Sequence, residues 1–383
     1  MVKMFFAHTM EVDEPQTAVD EIFEQINPNA LLKNSVGILS FHSEFVKNNI
    51  VEAVSKSYPF DLVGFNTPSS SVPLNYGEFI LTLTVLTSDD VSFAAGLSEP
   101  LTDGGQYSAL STLYNECSAK LPSKPSFIFS FLPSIAKING ETIINDLDRA
   151  SGGVANFGVV SYNIGIGINN SIVTFGGLSC SDRVALILMA GDVRPRYTLN
   201  FPNRFRIVKD SVFITKSEGH ILTEINATPA AEFFYQLGIF EKGDYTGQFS
   251  VMLLVEDPEF TEPIYAALLG PTDAGGFFCG KMLKAGSRVS IAAIDKQSTL
   301  SFTREAAAML NKRVNGVIIF SCVAYYVLLE LDALAGIKKV RSAMQDAAYL
   351  FAYTCGEICP AATASGGEKN QFHNASIISL SFD

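Results

Sequence analysis

The pattern of apolar and polar positions switches repeatedly between a strand period and a helix period. Residues 36–41, VGILSF, form a continuous apolar run, which is typical of a strand covered on both faces. Earlier, Asp13 and Pro15 mark the start of a helix. Its apolar face is predicted from positions at helical spacing, namely Ala18, Val19, Ile22, Phe23 and Ile26. The same alternation continues along the chain and predicts a fold that mixes helices and strands.

Three further stretches give specific local predictions. Ser88-Asp89-Asp90 lies between the strand patterns FILTLTVLT and VSFAAG, which indicates a hairpin. The run GVIIFSCVAYYVLLELDAL, residues 316–334, is interrupted by Ser321 and ends in acids, so it predicts a buried strand that leads into a helix. IKKVRSAMQDAAYLFAY, residues 337–353, is interpreted as one more helix.

The order of these patterns predicts the fold class and a division of the chain. We expect an α/β or mixed α+β protein with two lobes of mixed sheets covered by helices. The stretch from Asp192 to Asp210 is less regular, which places the joint near residues 192–212 and the domains at 1–200 and 201–383. The two halves hold similar numbers of predicted strands, so an internal duplication is one interpretation, although no repeat is visible residue by residue.

Composition narrows the classes of partner. The 383 residues carry a net charge of −12, and Lys and Arg are scattered, which disfavours nucleic acid and anionic membranes because both require a basic surface. No apolar run reaches the roughly 18 residues of a membrane span. The six cysteines are dispersed, which favours unpaired thiols in a reducing cytoplasm over a disulfide framework.

The cysteines and the downstream histidine near the end of the chain raise two chemical alternatives. Cys355 and Cys359 have C-x3-C spacing and could hold zinc with His373, but structural zinc sites usually show four close ligands. The favoured interpretation is a redox-silent pair. Cys322 with His373 could form a nucleophile and base, but its apolar surroundings predict a buried, protonated thiol. His373 itself either ligates or binds a small molecule, or ties a loop to the backbone.

Several stretches together resemble the FIST family, named for F-box and intracellular signal transduction proteins. VFITKSEGHILTEINATPAAEFFYQLG resembles the opening of its C-terminal part. VIIFSCVAY, YTCGEICP and FHNASIISLSF resemble its Phe-Ser-Cys strand, its Gly-Glu-Ile segment and its closing His-Asn strand. GGVANFGVVS and VTFGGLSCSDRVALILMAG resemble its N-terminal half, so the resemblance covers about residues 35–383.

The resemblance implies a sensory domain that binds a small ligand. The ligand would be an amino acid or related metabolite, and the chain would be a stand-alone cytoplasmic protein without catalysis that signals through a protein partner. It departs from the family pattern at Tyr325, where Arg is usual, and at Ser376, where Thr is usual. Without this arginine, the fixed cation that would pair with a ligand carboxylate is absent at position 325.

The stretch from Cys355 to Ser376 frames the implied ligand site. Its predicted residues are Cys322, Tyr325, Tyr353, Cys355, Glu357, His373, Asn374 and Ser376. We expect Glu357 and His373 to converge, and the carboxylate to raise the pKa of His373. A second reading of the resemblance is a haem-binding nitric-oxide sensor with His373 as the iron ligand, and a Cys322–His373 hydrolase ranks below it. No metal or cofactor is otherwise expected.

Overall fold

In the computed structural model, three units with the same order of elements follow each other along the chain. The structure describes residues 1–134, 139–163, 171–241, 250–310, 315–345 and 347–382. The first unit consists of β1 (Lys3–Thr9), α1 (Pro15–Gln25), β2 (Asn34–Phe41), α2 (Glu44–Lys47), α3 (Ile50–Ser57), β3 (Leu62–Asn66), β4 (Ser70–Ser71), β5 (Tyr76–Gly77) and β6 (Leu81–Ser88).

The second unit repeats this order with one helix in the β-α-β crossover. It consists of β7 (Ser92–Leu97), α4 (Gln106–Ala119), β8 (Phe127–Leu132), α5 (Gly140–Ser151), β9 (Asn156–Val160), β10 (Val173–Phe175), β11 (Leu178–Cys180) and β12 (Ala185–Ala190).

The third unit has the same order but carries a large insertion after its first strand. Its own elements are β13 (Pro195–Asn200), α7 (Lys296–Ala308), β21 (Val317–Cys322), α8 (Val323–Leu329), α9 (Ala333–Met344), β22 (Tyr349–Thr354), β23 (Glu357–Ala362), β24 (Glu368–His373) and β25 (Ile377–Phe382). The insertion consists of β14 (Arg206–Glu218), β15 (Ile221–Ile225), β16 (Thr228–Pro229), α6 (Ala230–Gln236), β17 (Val251–Val255), β18 (Ile264–Pro271), β19 (Phe277–Cys279) and β20 (Arg288–Ala293).

Each unit supplies four strands to one six-stranded sheet and a hairpin to another. The strand orders are β1-β6-β2-β3-β10-β11 in the first sheet, β7-β12-β8-β9-β23-β24 in the second and β13-β25-β21-β22-β4-β5 in the third. In every sheet the central pair is parallel and the other pairs are antiparallel. The hairpins are therefore exchanged cyclically, and the internal repetition takes the form of three units.

The inner faces of the three sheets meet in one apolar core. Phe65 stacks on Phe131 at 5.7 Å between ring centroids and lies edge-on to Phe320 at 5.6 Å, so rings from all three sheets touch there. The outer faces are covered by α1 and α3, by α4 and α5, and by α7, α8 and α9. Strands buried on both faces explain the continuous apolar runs in the sequence.

The inserted strands form a fourth sheet of their own. Its order is β14-β20-β17-β18-β19-β15-β16, and β14 also pairs with β15, so the sheet closes on itself. Phe233 and Phe234 of α6 belong to its apolar cluster. The mixed α+β class with several helix-covered sheets is thus confirmed.

The domain boundary predicted after residue 200 falls between β13 and β14. The hairpin β23–β24 joins strands that precede the boundary, whereas β4–β5 joins strands that follow it. Two of the sheets among the described residues therefore contain strands from both sides. Within the same described segments, no helix is long and apolar enough to cross a membrane.

Two local predictions are wrong. The turn at Ser88-Asp89-Asp90 does not close a hairpin, because β6 belongs to the first sheet and β7 to the second. The Ser88 hydroxyl accepts hydrogen bonds from the amides of Asp90 and Val91 and shapes this corner between units. The helix predicted over residues 337–353 ends at Met344, and Tyr349–Thr354 form β22. The aromatic residues of β22 fit a strand that is covered on both faces. The strand and helix over residues 316–334 are confirmed as β21 and α8.

Candidate functional site

The predicted site centres on the hairpin that the third unit adds to the second sheet. In β23–β24, Glu357 lies directly opposite His373, and Cys359 lies opposite Gln371. Residues opposed in this way project from the same face of a sheet. The chain enters β23 through Gly356, whose φ of 137° favours glycine, and an added Cβ would overlap the ring of Phe372. A glycine is therefore required where the chain passes from the third sheet to the second.

Glu357 occupies a closed polar cluster. Its side chain is fully buried, with Oε1 accepting a hydrogen bond from Thr354 Oγ1 at 2.7 Å and Oε2 accepting one from Ser376 Oγ at 2.6 Å. Burial raises the pKa of Glu357 to about 8, although both hydroxyl hydrogen bonds oppose the rise. Near neutral pH the group is therefore mainly a protonated acid, in which one oxygen donates and the other accepts, and it links the ends of β22, β23 and β25.

The other predicted residues of this cluster hold it from the third sheet. Cys322 lies opposite Thr354 at the ends of the parallel strands β21 and β22. Burial raises the pKa of the Cys322 thiol well above its usual range and that of Cys355 to about 12, and a Glu357 carboxylate would raise both further. The Tyr325 hydroxyl donates a hydrogen bond to the backbone oxygen of Ala375.

Tyr353 lies on another face. Its ring packs edge-on against Tyr326 at 5.3 Å and against Phe351 at 5.0 Å, within the apolar cluster on the outer face of the third sheet. Its hydroxyl lies so close to Gly336 of α9 that an added Cβ there would overlap it. The strand period explains the separation, since the neighbour Thr354 points toward Glu357 instead.

His373 contacts the hairpin backbone and an aromatic ring. Its Nε2 lies 2.9 Å from the backbone oxygen of Cys359, and its ring meets Phe201 edge-on at 5.7 Å. Burial, assisted by the charge of Lys281, lowers the pKa of His373 to about 3. The expectation that a carboxylate would raise this pKa is wrong, because burial of the ring is the largest effect and the charge that acts on it is the Lys281 cation. A haem iron would have to use Nδ1, since Nε2 is engaged.

Asn374 joins the hairpin to the fourth sheet. Its Nδ2 donates to the backbone oxygen of His373 at 3.0 Å, and its Oδ1 accepts from the amide of Ala267 in β18 at 3.4 Å. A Cβ on Gly280 would collide with this side chain. Asn374 is therefore a contact between sheets.

Beside His373 lies a cavity of about 240 Å³. Phe201 and Tyr265 stack at 4.2 Å with their ring planes 4° apart and form one wall. Gln371 and His373 supply polar groups on the hairpin side. The remaining lining comes from β13, from the start of β18 and the segment that leads into it, and from β23 and β24: Tyr197, Leu199, Phe260, Thr261, Glu262, Pro263, Ile264, Pro360, Ala361, Ala362 and Phe372. The makeup is that of a small-molecule site, mostly apolar with a few polar groups.

The sequence pattern missed Lys281, which lies behind this cavity. Its side chain is only 2% exposed, and Nζ donates to the backbone oxygen of Phe372 at 2.8 Å and to Gln371 Oε1 at 3.1 Å. A lysine in the apolar run GFFCGKM was the available signal. The zinc alternative gains no support, since in the part of the chain that the structure describes no three His, Cys, Asp or Glu side chains are arranged to hold a metal.

Two known domain families together match nearly the whole chain. The FIST N domain matches residues 35–228 and the FIST C domain matches residues 220–360. The chain belongs to the FIST family. FIST domains are sensory, ligand-binding domains of signal transduction. The FIST C match ends in β23, so His373 and Asn374 lie beyond it.

Other comparisons add little to the FIST assignment. A cyanuric acid hydrolase from A. caulinodans shares 9% identity at a TM-score of 0.28, over 50% of this chain and 71% of that one. A second structure, titled "Cyanuric acid hydrolase: evolutionary innovation by structural concatenation", shares 7% identity at 0.36, over 100% of this chain and 99% of that one. Such low scores carry no functional meaning. No curated protein shows significant sequence similarity.

Proposed function

We propose that this FIST protein is a sensory protein that binds a small molecule in the cavity beside His373 and signals through a protein partner. The cavity is the observation that carries the proposal. Its volume of about 240 Å³ suits a ligand the size of an amino acid or related metabolite. The stacked rings of Phe201 and Tyr265 would cover an apolar or aromatic body, and Gln371 would contact its polar end.

The position of the cavity supports a sensory role. Its walls come from β13 of the third sheet, from β23 and β24 in the second sheet, and from the segment leading into β18 of the fourth. A ligand there would contact three sheets at once and would favour whichever relative arrangement of them it binds best. A partner protein that recognises that arrangement would then bind in response to the ligand.

A thermal-shift screen of amino acids and related metabolites tests the proposal. A ligand at 100 times its Kd should stabilise the protein by about 2.7 kcal/mol. Ala361→Trp should abolish that shift, because the indole would fill a cavity that Ala361 lines. Ala364→Trp is the matched control, since Ala364 is exposed further along the same hairpin loop. Absence of any shift in the wild type, or equal shifts in both variants, would count against the cavity.

A further inference from the structure

Lys281 is a buried cation, and the proposed ligand site alone does not explain why a charge is buried there. It follows β19 and Gly280, and its Nζ reaches across to β24 of the second sheet. Glu141 Oε2, at the start of α5, lies 3.6 Å from Nζ and also accepts a hydrogen bond from the amide of Met282 at 3.0 Å. A buried ammonium is costly unless it is paired and hydrogen-bonded, and this one has three oxygen partners.

The position of Lys281 determines how Gln371 is oriented. An ammonium group can only donate hydrogen bonds, so the atom 3.1 Å from Nζ must be the amide oxygen of Gln371. The Nε2 group therefore points elsewhere with two N–H donors, and it donates to no protein group among the described residues. Gln371 lines the cavity, so these donors are available to a ligand.

The surroundings of Gln371 add to this polarity. His373, the other polar group on the hairpin side of the cavity, stays neutral because burial and Lys281 lower its pKa to about 3. Burial lowers the pKa of Lys281, but the Glu141 carboxylate opposes this shift and stabilises the ammonium form, which places a positive charge one hydrogen bond behind the amide. Glu262, which lines the cavity, is exposed on the segment that leads into β18, close to the point where Phe260 bridges Thr363 beyond the end of β23. At Gln371 of β24 the cavity wall thus offers donors backed by the Lys281 cation, which suit an oxygen acceptor.

We propose that Lys281, acting through Gln371, makes the cavity selective for ligands that end in a carboxylate or carboxamide oxygen over ligands that end in an ammonium group. This inference rests on the proposed function and names its ligand class, a small apolar or aromatic acid or its amide. Lys281 is the positioning residue, and Gln371 is the group that contacts the ligand.

Calorimetric titration with phenylacetate, phenylacetamide and 2-phenylethylamine tests the selectivity. The wild type should bind the acid and the amide at least 10-fold more tightly than the amine, which is the effect of about 1.4 kcal/mol. Gln371→Glu should reverse the order, because it presents a carboxylate in place of the donors. Gln16→Glu on the exposed face of α1 is the matched control and should leave the order unchanged.

A second pair of substitutions tests the part played by Lys281. Lys281→Met combined with Glu141→Gln removes both charges together, so that neither is left buried and unpaired. The ratio of acid to amine affinity should fall toward 1. A merely structural lysine would lower the melting temperature and leave that ratio unchanged, which would overturn its positioning role.

The possible failures are distinguishable. A wild type that binds neither the three probes nor any compound of the metabolite panel contradicts the proposed function and this inference with it. A wild type that binds them with equal or amine-favouring affinity, or whose preference survives Gln371→Glu, contradicts only the inference. If panel members bind but the probes do not, each bound acid and its decarboxylated amine replace the probes in the same comparison.

Discussion

The surroundings of Glu357 and of His373 differ sharply although the two residues are directly opposed in the register of the hairpin β23–β24. Around Glu357, hydroxyls, thiols and a tyrosine fill the seam between the second and third sheets. Around His373, aromatic side chains leave a cavity of about 240 Å³. Polar residues that lie close together in the sequence can therefore occupy two different environments. Some form an internal hydrogen-bonded cluster, and others line a cavity that a ligand can enter.

The largest expected effect concerns the pH dependence of the Glu357 cluster. Its pKa is raised to about 8 from 4.5, so the stability associated with the protonated acid is complete below pH 4.5 and is lost as pH rises through 8. At about 1.4 kcal/mol per pKa unit, the loss amounts to several kcal/mol. Glu357→Gln keeps hydrogen bonds to Thr354 and Ser376 without an ionisable group.

Urea denaturation of both proteins between pH 4.5 and 9 checks this prediction. The free energy of unfolding of the variant should fall less than that of the wild type over this range. Cys322, Cys355 and Tyr325 are the neighbouring titratable groups, and all are retained in the variant. If the free energies of unfolding of the two proteins fell in parallel with pH, Glu357 would not have the raised pKa that burial of its carboxyl requires.

The thiols of the same cluster should be inert in the folded protein. A rise of the Cys355 pKa from 9 to about 12 reduces the thiolate about 1000-fold near neutral pH. Alkylation by iodoacetamide, followed by mass spectrometry, should modify Cys322 and Cys355 only after unfolding. Cys180, which is partly exposed like Cys355 but lies outside the cluster, serves as the internal control. Rapid modification of native Cys322 would instead support the hypothesis of a Cys322–His373 hydrolase.

On the cavity side, the effect of pH should have the opposite sign. The pKa of His373 is lowered from 6.5 to about 3, so its contribution to stability is present above pH 6.5 and is lost as pH falls toward 3. His373→Gln preserves a donor for the Cys359 oxygen and removes this titration. The variant should therefore lose less stability than the wild type between pH 6.5 and 4 in urea melts. A variant that is equally acid-sensitive would place the titration elsewhere.

The smallest expected effect concerns Tyr353, which lies outside both the Glu357 cluster and the cavity. Tyr353→Phe removes only a hydroxyl that lies beneath α9, so we expect a change of about 1 kcal/mol or less in stability. Ligand-induced thermal shifts should match those of the wild type. A variant with near-normal stability that fails to respond to ligand would return Tyr353 to the ligand site.

Much of the local structure follows from the sequence alone. The continuous apolar runs at 36–41 and 317–322 form strands β2 and β21, buried on both faces, and the family assignment follows from residues in order. The burial of Cys322 also follows from its apolar neighbours. These are properties of short stretches, for which hydrophobic periodicity is informative.

Only the tertiary structure determines which strands share a sheet. The exchange of hairpins places β23–β24 beside β9, about 200 residues away in sequence, and no local period encodes such a partner. That exchange separates Glu357 from the cavity, brings Lys281 from the inserted sheet to Gln371, and lowers rather than raises the pKa of His373. Desolvation and the nearest charge depend on packing in three dimensions, so the electrostatics of this site could not be deduced from the order of its residues.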